Sequence, residues 1–169
     1  MQHLEQENQS KFNQIPYVYR LIATGLGSGY SPIASGTAGS AVAVVLYLPL
    51  LLLPSTLIQP TLLLLTILAL VIGIIASAKV EKAIGDDPSI VVIDEVVGQW
   101  ISLLFLPVSV WSIVSAFFLF RIYDIFKPSP AREAESMKNG WGIMMDDVVA
   151  GVYANVTTRV VLFVVARFL

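Results

Sequence analysis

The sequence predicts an all-α, polytopic membrane helix bundle of about five membrane helices, two of them forming a hairpin broken near Pro107. Three observations predict it. The 169 residues are 56% hydrophobic and only 13% charged, with a mean hydropathy of +0.79, against about 25% charged in an ordinary soluble domain. From Leu21 to Ala78 there is no Lys, Arg, Asp or Glu, a run that the core of a small soluble domain, a helix or two thick, cannot hide. The apolar residues also fall into stretches of spanning length, separated by polar segments.

Taken in order, residues 1–20 form a polar tail and interfacial segment, and residues 21–169 form the membrane-embedded domain. Met1 to Gln14 is rich in Gln, Asn and Glu and holds the single His, His3. No basic stretch leads directly into an apolar core, so this is not a signal peptide; it reads as disordered or lying on the membrane surface. Ile15 to Ala23 reads as a short interfacial helix with Tyr17, Tyr19 and Arg20 at headgroup level. Four apolar stretches follow: Ala38 to Ile58, interrupted by Pro49 and Pro54; Thr61 to Ala78; Ile90 to Phe126; and Val148 to Leu169.

The third stretch is too long for one span, at roughly 37 residues, and Pro107 breaks it. Split there, it becomes a hairpin with arms of roughly 17 and 18 residues, just enough to cross when the polar ends protrude. Gly25 to Ser40, Lys79 to Glu95 and Arg121 to Asp147 then share one side. Lys79, Lys82, Arg121, Lys127, Arg132 and Lys138 all lie on it, which makes it the cytoplasmic face by the positive-inside rule.

The composition excludes several kinds of chemistry. A net charge of −2 without a basic stripe argues against nucleic acid as a partner. With no Cys, thiolate nucleophiles and thiolate metal sites are absent. Of the twelve carboxylates only Glu5 and Glu7 are in the tail; several others abut apolar helices, where an ionised group is expensive unless paired or bound to a cation. Asp94-Glu95 follows Ile90-Val91-Val92-Ile93. The apolar residues before it imply that the helix has already begun, which favours a functional reading over a simple helix start. Asp146-Asp147 precedes Val148, where capping is a stronger competitor, although Ala150 and Gly151 one turn on open space for a helix or a ligand. Asp86-Asp87-Pro88 reads first as a turn and helix N-cap. Arg121, Asp124 and Lys127 repeat at helical spacing, so Asp124 can reach either cation. They form either a structural ion-pair ladder or a phosphate-binding pair oriented by Asp124. Gly25 to Gly29 and Ser35 to Ser40 make a Gly-rich loop opening a helix, suited to an anion or to close helix contacts.

Carboxylate oxygens without His or Cys suit Mg²⁺, which bridges to substrate phosphate. Phospho-His and phospho-Cys routes lack their residues and no DxDx(T/V) element supports an aspartyl phosphate, which leaves metal-activated water attacking a phosphomonoester. A small ion or proton transporter is the main alternative, but the acids cluster at one face rather than along a pathway. A non-catalytic assembly subunit is another. The DGxxAR and GxxxDxxxD elements of a CDP-alcohol phosphotransferase are absent.

Four segments resemble the phosphatidylglycerophosphatase A family: Gly36-Thr37-Ala38-Gly39-Ser40; Asp87 to Ile101, with Asp94-Glu95-Val96-Val97-Gly98-Gln99-Trp100 at its heart; Arg121-Ile122-Tyr123-Asp124-Ile125-Phe126-Lys127-Pro128; and Gly142-Ile143-Met144-Met145-Asp146-Asp147-Val148-Val149-Ala150-Gly151. One departure is Ser35, where the family commonly has Pro, a change expected to loosen the loop without touching the chemistry. The resemblance implies an Mg²⁺-dependent, multi-pass phosphatase of the bacterial inner (cytoplasmic) membrane, with its active site on the cytoplasmic face. It implies hydrolysis of phosphatidylglycerophosphate to phosphatidylglycerol and inorganic phosphate. On this reading Asp94, Asp146 and Asp147 ligate Mg²⁺, and Glu95 completes the metal site or acts as general base. Arg121 and Lys127 bind phosphate, with Asp124 as orienter or extra ligand, and Thr37 and Ser40 hold the phosphate or glycerol hydroxyls.

Overall fold

A computed structural model describes residues 2–85 and 88–168; Asp86 and Asp87, expected in a turn, lie outside the described residues. The elements are α1 (Gln2–Gln14), α2 (Tyr17–Ala23), α3 (Ser35–Tyr47) continued by a 3-10 segment to Leu52, α4 (Ser55–Ile84), α5 (Ile93–Leu103), α6 (Val110–Phe126), α7 (Ala131–Ala134) and α8 (Trp141–Phe168). All the regular elements among the described residues are helical, as expected. Three stretches are long and apolar enough to cross a membrane: Ser35–Leu52, Ser55–Ile84 and Trp141–Phe168. The five spans read from the sequence thus become three of spanning length plus a shorter hairpin.

The break near Pro107 is present, but its arms are unequal. Eleven residues of α5 reach only about 16 Å, and seventeen of α6 about 25 Å. The first arm is short because residues before Ile93 are not helical: the Val92 N–H donates to Ala23 O at 2.8 Å, and the Val91 N–H to Pro88 O at 2.8 Å. Helix α4 begins earlier than expected and runs through Pro60. The tail forms α1, which packs on the bundle through Phe12, 2% exposed.

Helix α5 is the centre of the molecule. Val92, Val97 and Leu103 are buried, and the Trp100 Nε1 donates to Ala43 O at 2.9 Å, tying α5 to α3. Against α8 the approach is closer still. A methyl on Gly98 would lie 2.7 Å from Asp147 O, and one on Gly151 would lie 2.5 Å from Gly98 O. Small residues let two backbones meet in this way. The space beside Ala150 and Gly151 is therefore taken by α5.

A half-helix ending among membrane-length helices leaves carbonyls that its own last turn satisfies only in part, through the Leu104 N–H donating to Ile101 O at 3.1 Å. Two longer helices supply the partners. Asn155 Nδ2 donates to Ile101 O, Ser102 O and Leu104 O at 3.2, 3.1 and 2.8 Å. Arg159 Nη2 donates to Leu104 O and Phe105 O, both at 3.0 Å, and its Nε donates to Asn155 Oδ1 at 2.9 Å. From α4, Gln59 Oε1 accepts the Phe105 N–H at 2.7 Å while its Nε2 donates to Leu106 O at 3.3 Å. Asn155→Leu is expected to destabilise the protein by about 1–3 kcal/mol, the usual penalty for orphaned buried polar groups. Thermal unfolding in detergent checks this, with Asn155→Gln retaining part of the loss.

Candidate active site

Asp94 and Glu95 lie in the first turn of α5, whose N-cap is Val92. Only Ile93 of the helix precedes them; Ile90 to Val92 look helical by composition, but the N–H groups of Val91 and Val92 are committed to Pro88 and Ala23. Conversely, Asp146 and Asp147 lie inside α8, five and six residues after its first residue, Trp141, so they cap nothing. Gly98, one turn after Asp94, receives the Asp147 backbone, and that contact carries the Asp147 carboxylate to the start of α5.

The result is a group of three acids. Asp94, Glu95 and Asp147 each offer an oxygen such that the three atoms lie within 4.8 Å of one another. Asp94 is 8% exposed and Asp147 2%. Asp94 Oδ1, Glu95 Oε2 and Asp147 Oδ2 are buried with no hydrogen-bond partner among the described residues. Three carboxylates this close repel one another and are poorly solvated, an arrangement that could hold a cation. The all-oxygen donor set fits a hard divalent ion.

Arg121 stands beside this group. Its Nη1 is 2.6 Å from Asp124 Oδ2 and 4.0 Å from Glu95 Oε1, and lies 3.5 Å from Ser40 Oγ, to which it donates. Gly36 faces the pair: a side chain there would overlap the Glu95 carboxylate and come within 2.9 Å of Arg121 Nη2. Thr37 is half-buried in the same turn, and Ser40 is buried, its Oγ donating to Gly36 O at 3.0 Å. No side chain caps α3 at Ala34, so its first N–H groups are open to an anion. Of the Gly-rich loop only Gly36 to Ser40 reaches the site. Gly29 packs on the Ile90 backbone and Gly25 on Val92. Ser35 donates from Oγ to Ser89 O at 2.8 Å, which ties down a loop expected to be loose.

Asp124 takes only one of the two cations expected for it. Lys127 instead reaches α8, with its Nζ 2.7 Å from Asp146 Oδ2 and 3.2 Å from Glu135 Oε1. Partial burial pulls the Lys127 pKa down, but Asp146 and then Glu135 outweigh it and hold the ammonium charged well above its usual range. Asp146 Oδ1 also accepts the Asp147 N–H at 2.9 Å. Asp146 thus lies next to the carboxylate group, not in it. Sequence reasoning missed Glu135, a surface acid with no local signal, and the clamp at Asn155 and Arg159. The clamp did have a signal: two polar residues one turn apart inside an apolar helix.

The fold and the site define a helical protein with membrane-length helices and a buried acidic group that could hold a metal ion. The chain belongs to the phosphatidylglycerophosphatase A family, whose model matches residues 21–162. It is 40% identical over 137 residues to the phosphatidylglycerophosphatase A of Escherichia coli, covering 79% of this chain and 77% of that one. The Haemophilus influenzae protein of the same name is 38% identical, covering 79% and 82%. A Bacteroides thetaiotaomicron protein, named provisionally as a phosphatidylinositol-3-phosphatase, is 47% identical over 149 residues, covering 86% of this chain and 94% of its own. No solved structure matches the chain.

Proposed function

We propose that the protein hydrolyses phosphatidylglycerophosphate to phosphatidylglycerol and inorganic phosphate, using Mg²⁺ at the cytoplasmic face of the bacterial inner membrane. The observation that carries this reading is the set of unpartnered, buried oxygens of Asp94, Glu95 and Asp147 beside Arg121. Asp94, Glu95 and Asp147 would hold the ion. When bound, it supplies Lewis-acid charge to the phosphoryl oxygens and makes water a better nucleophile at neutral pH.

The chain's own residues do the rest. Arg121, aligned by Asp124, and the open N–H groups at the start of α3 bind the phosphate oxygens, with Thr37 and Ser40 lining the same turn. Glu95 is the member of the acidic group that faces Arg121, so it is placed to take the proton of the attacking water. The water oxygen bonds to phosphorus, the bond from phosphorus to the glycerol oxygen breaks, and that oxygen takes up the proton from Glu95 and leaves as the lipid hydroxyl. Asp146 and Lys127 act as positioning residues, joining the end of α6 to α8 beside Asp147.

A second substrate has a specific observation behind it, the name of the Bacteroides relative. Phosphatidylinositol 3-phosphate carries the same phosphomonoester on a bulkier headgroup. The test is phosphate release by the purified full chain from each lipid, with Mg²⁺ and with EDTA, and with phosphatidic acid as competitor. The expected result is Mg²⁺-dependent release with the higher kcat/KM on phosphatidylglycerophosphate. Release that persists in EDTA would overturn the metal assignment, and a higher kcat/KM on the inositide would overturn the substrate.

A further inference from the structure

We propose that the C-terminal end of α4 carries a separate site for an anionic phospholipid, lined by none of Asp94, Glu95 and Asp147 and independent of the catalytic reading. The phosphate lies on Lys79 and Lys82, and the acyl chains on Ile74, Ile75 and Ala78. These residues line a cleft of about 640 Å³ against the loop at Asn139, and the two lysines also border a neighbouring cleft of about 310 Å³ with Lys11.

The cleft carries a net positive charge, two lysines against the one acid, Glu81, that lines it with them. Lys79 and Lys82 are exposed, three residues apart on one helix face, and neither makes a salt bridge among the described residues. Glu81, between them in sequence, keeps its charge but is held on the loop, where it accepts the N–H of Gly140 at 2.6 Å and of Asn139 at 3.3 Å. Lys79 Nζ sits 4.6 Å above the Tyr19 ring, which holds the ammonium at the mouth. Depth agrees with a lipid occupant. At 30 residues, α4 is about 45 Å long, so its last turns pass beyond a ~30 Å hydrocarbon core into the headgroups. Ile75, half-exposed, stays on the apolar side of that boundary. Two ammoniums above an apolar wall at the membrane surface match a lipid that is anionic at its head and apolar below. A soluble anion would use only the upper half.

Because the chain contains no Cys, a single Ile75→Cys substitution can carry a fluorophore on the full-length protein. In phosphatidylcholine vesicles, brominated phosphatidylglycerol is expected to quench it at roughly tenfold lower mole fraction than brominated phosphatidylcholine. In the Lys79→Gln/Lys82→Gln background that preference is expected to vanish, with an unchanged melting temperature showing that the variant is folded. Equal quenching by the two lipids in the parent, or a preference that survives in the double variant, would overturn the site. Should the double variant prove unfolded, Lys79→Arg/Lys82→Arg provides the second test: it keeps both charges and must keep the preference, and losing it counts against the proposal.

Discussion

Asp147→Asn is expected to lower phosphate release by roughly 10³-fold or more, the scale on which removing a charge-stabilising group acts in a water-poor site. Asn keeps the shape of the side chain and the Gly98 contact of its backbone, so the loss isolates the charge. Asp94→Asn should match it. Asp146→Asn should lose less, roughly 10–100-fold, since Asp146 acts through Lys127 and the Asp147 N–H rather than at the reacting atoms. An independent readout comes from stability without metal. Removing one of three mutually repelling buried carboxylates should raise the melting temperature of the metal-free Asp147→Asn protein and abolish the further rise that Mg²⁺ gives the parent. Equal losses for Asp146→Asn and Asp147→Asn, each with a higher Mg²⁺ requirement, would return Asp146 to the metal set that its sequence position suggested.

Gly98→Val should unfold or badly distort the protein although it changes no charged residue. The Phe120 ring near Gly98 is itself fully buried, and the Asp147 carbonyl, 2.7 Å from the first added carbon, is backbone and cannot turn aside. Overpacking of this kind costs about 1–3 kcal/mol or more. Where the variant folds, α8 must shift relative to α5 and take Asp147 away from Asp94. A displacement of about 1 Å is enough for roughly a 10²-fold loss of rate. Melting temperature and phosphate release measured together check this. Normal activity in a stably folded Gly98→Val protein would show that the close crossing does not align the acids.

Much of the site could be read along the chain. Asp94, Glu95 and Asp147 stand out as acids beside apolar residues, and Arg121 with Asp124 as an ion pair at helical spacing; the structure brings all five together. The roles within the pattern were less legible. Lys127 lies as near Asp124 in sequence as Arg121 does, but its backbone at φ 43° ends the helix and turns the side chain to Asp146. The helix boundaries around both acidic pairs were misread for one reason. A β-branched run such as Val91-Val92-Ile93 and a polar pair such as Asp146-Asp147 suggest local structure, whereas hydrogen bonds to Ala23 and the early start of α8 at Trp141 are set by distant parts of the chain.

The sequence by itself determined that this protein is helical, rich in membrane-length apolar segments, broken near Pro107, without thiol chemistry, and rich in acids between those segments. These properties follow from composition and from short-range sterics, which each segment carries wherever it sits. Only the tertiary structure decided which acids form one group, which cation serves which acid, and that the hairpin's first arm stops at Leu103. Those outcomes depend on two backbones meeting at Gly98 and Gly151, and on Gln59, Asn155 and Arg159 satisfying the polar groups of a helix too short to satisfy its own. Such contacts join residues about 50 positions apart, and local spacing marks at most one side of them, as at Asn155 and Arg159, never the partner.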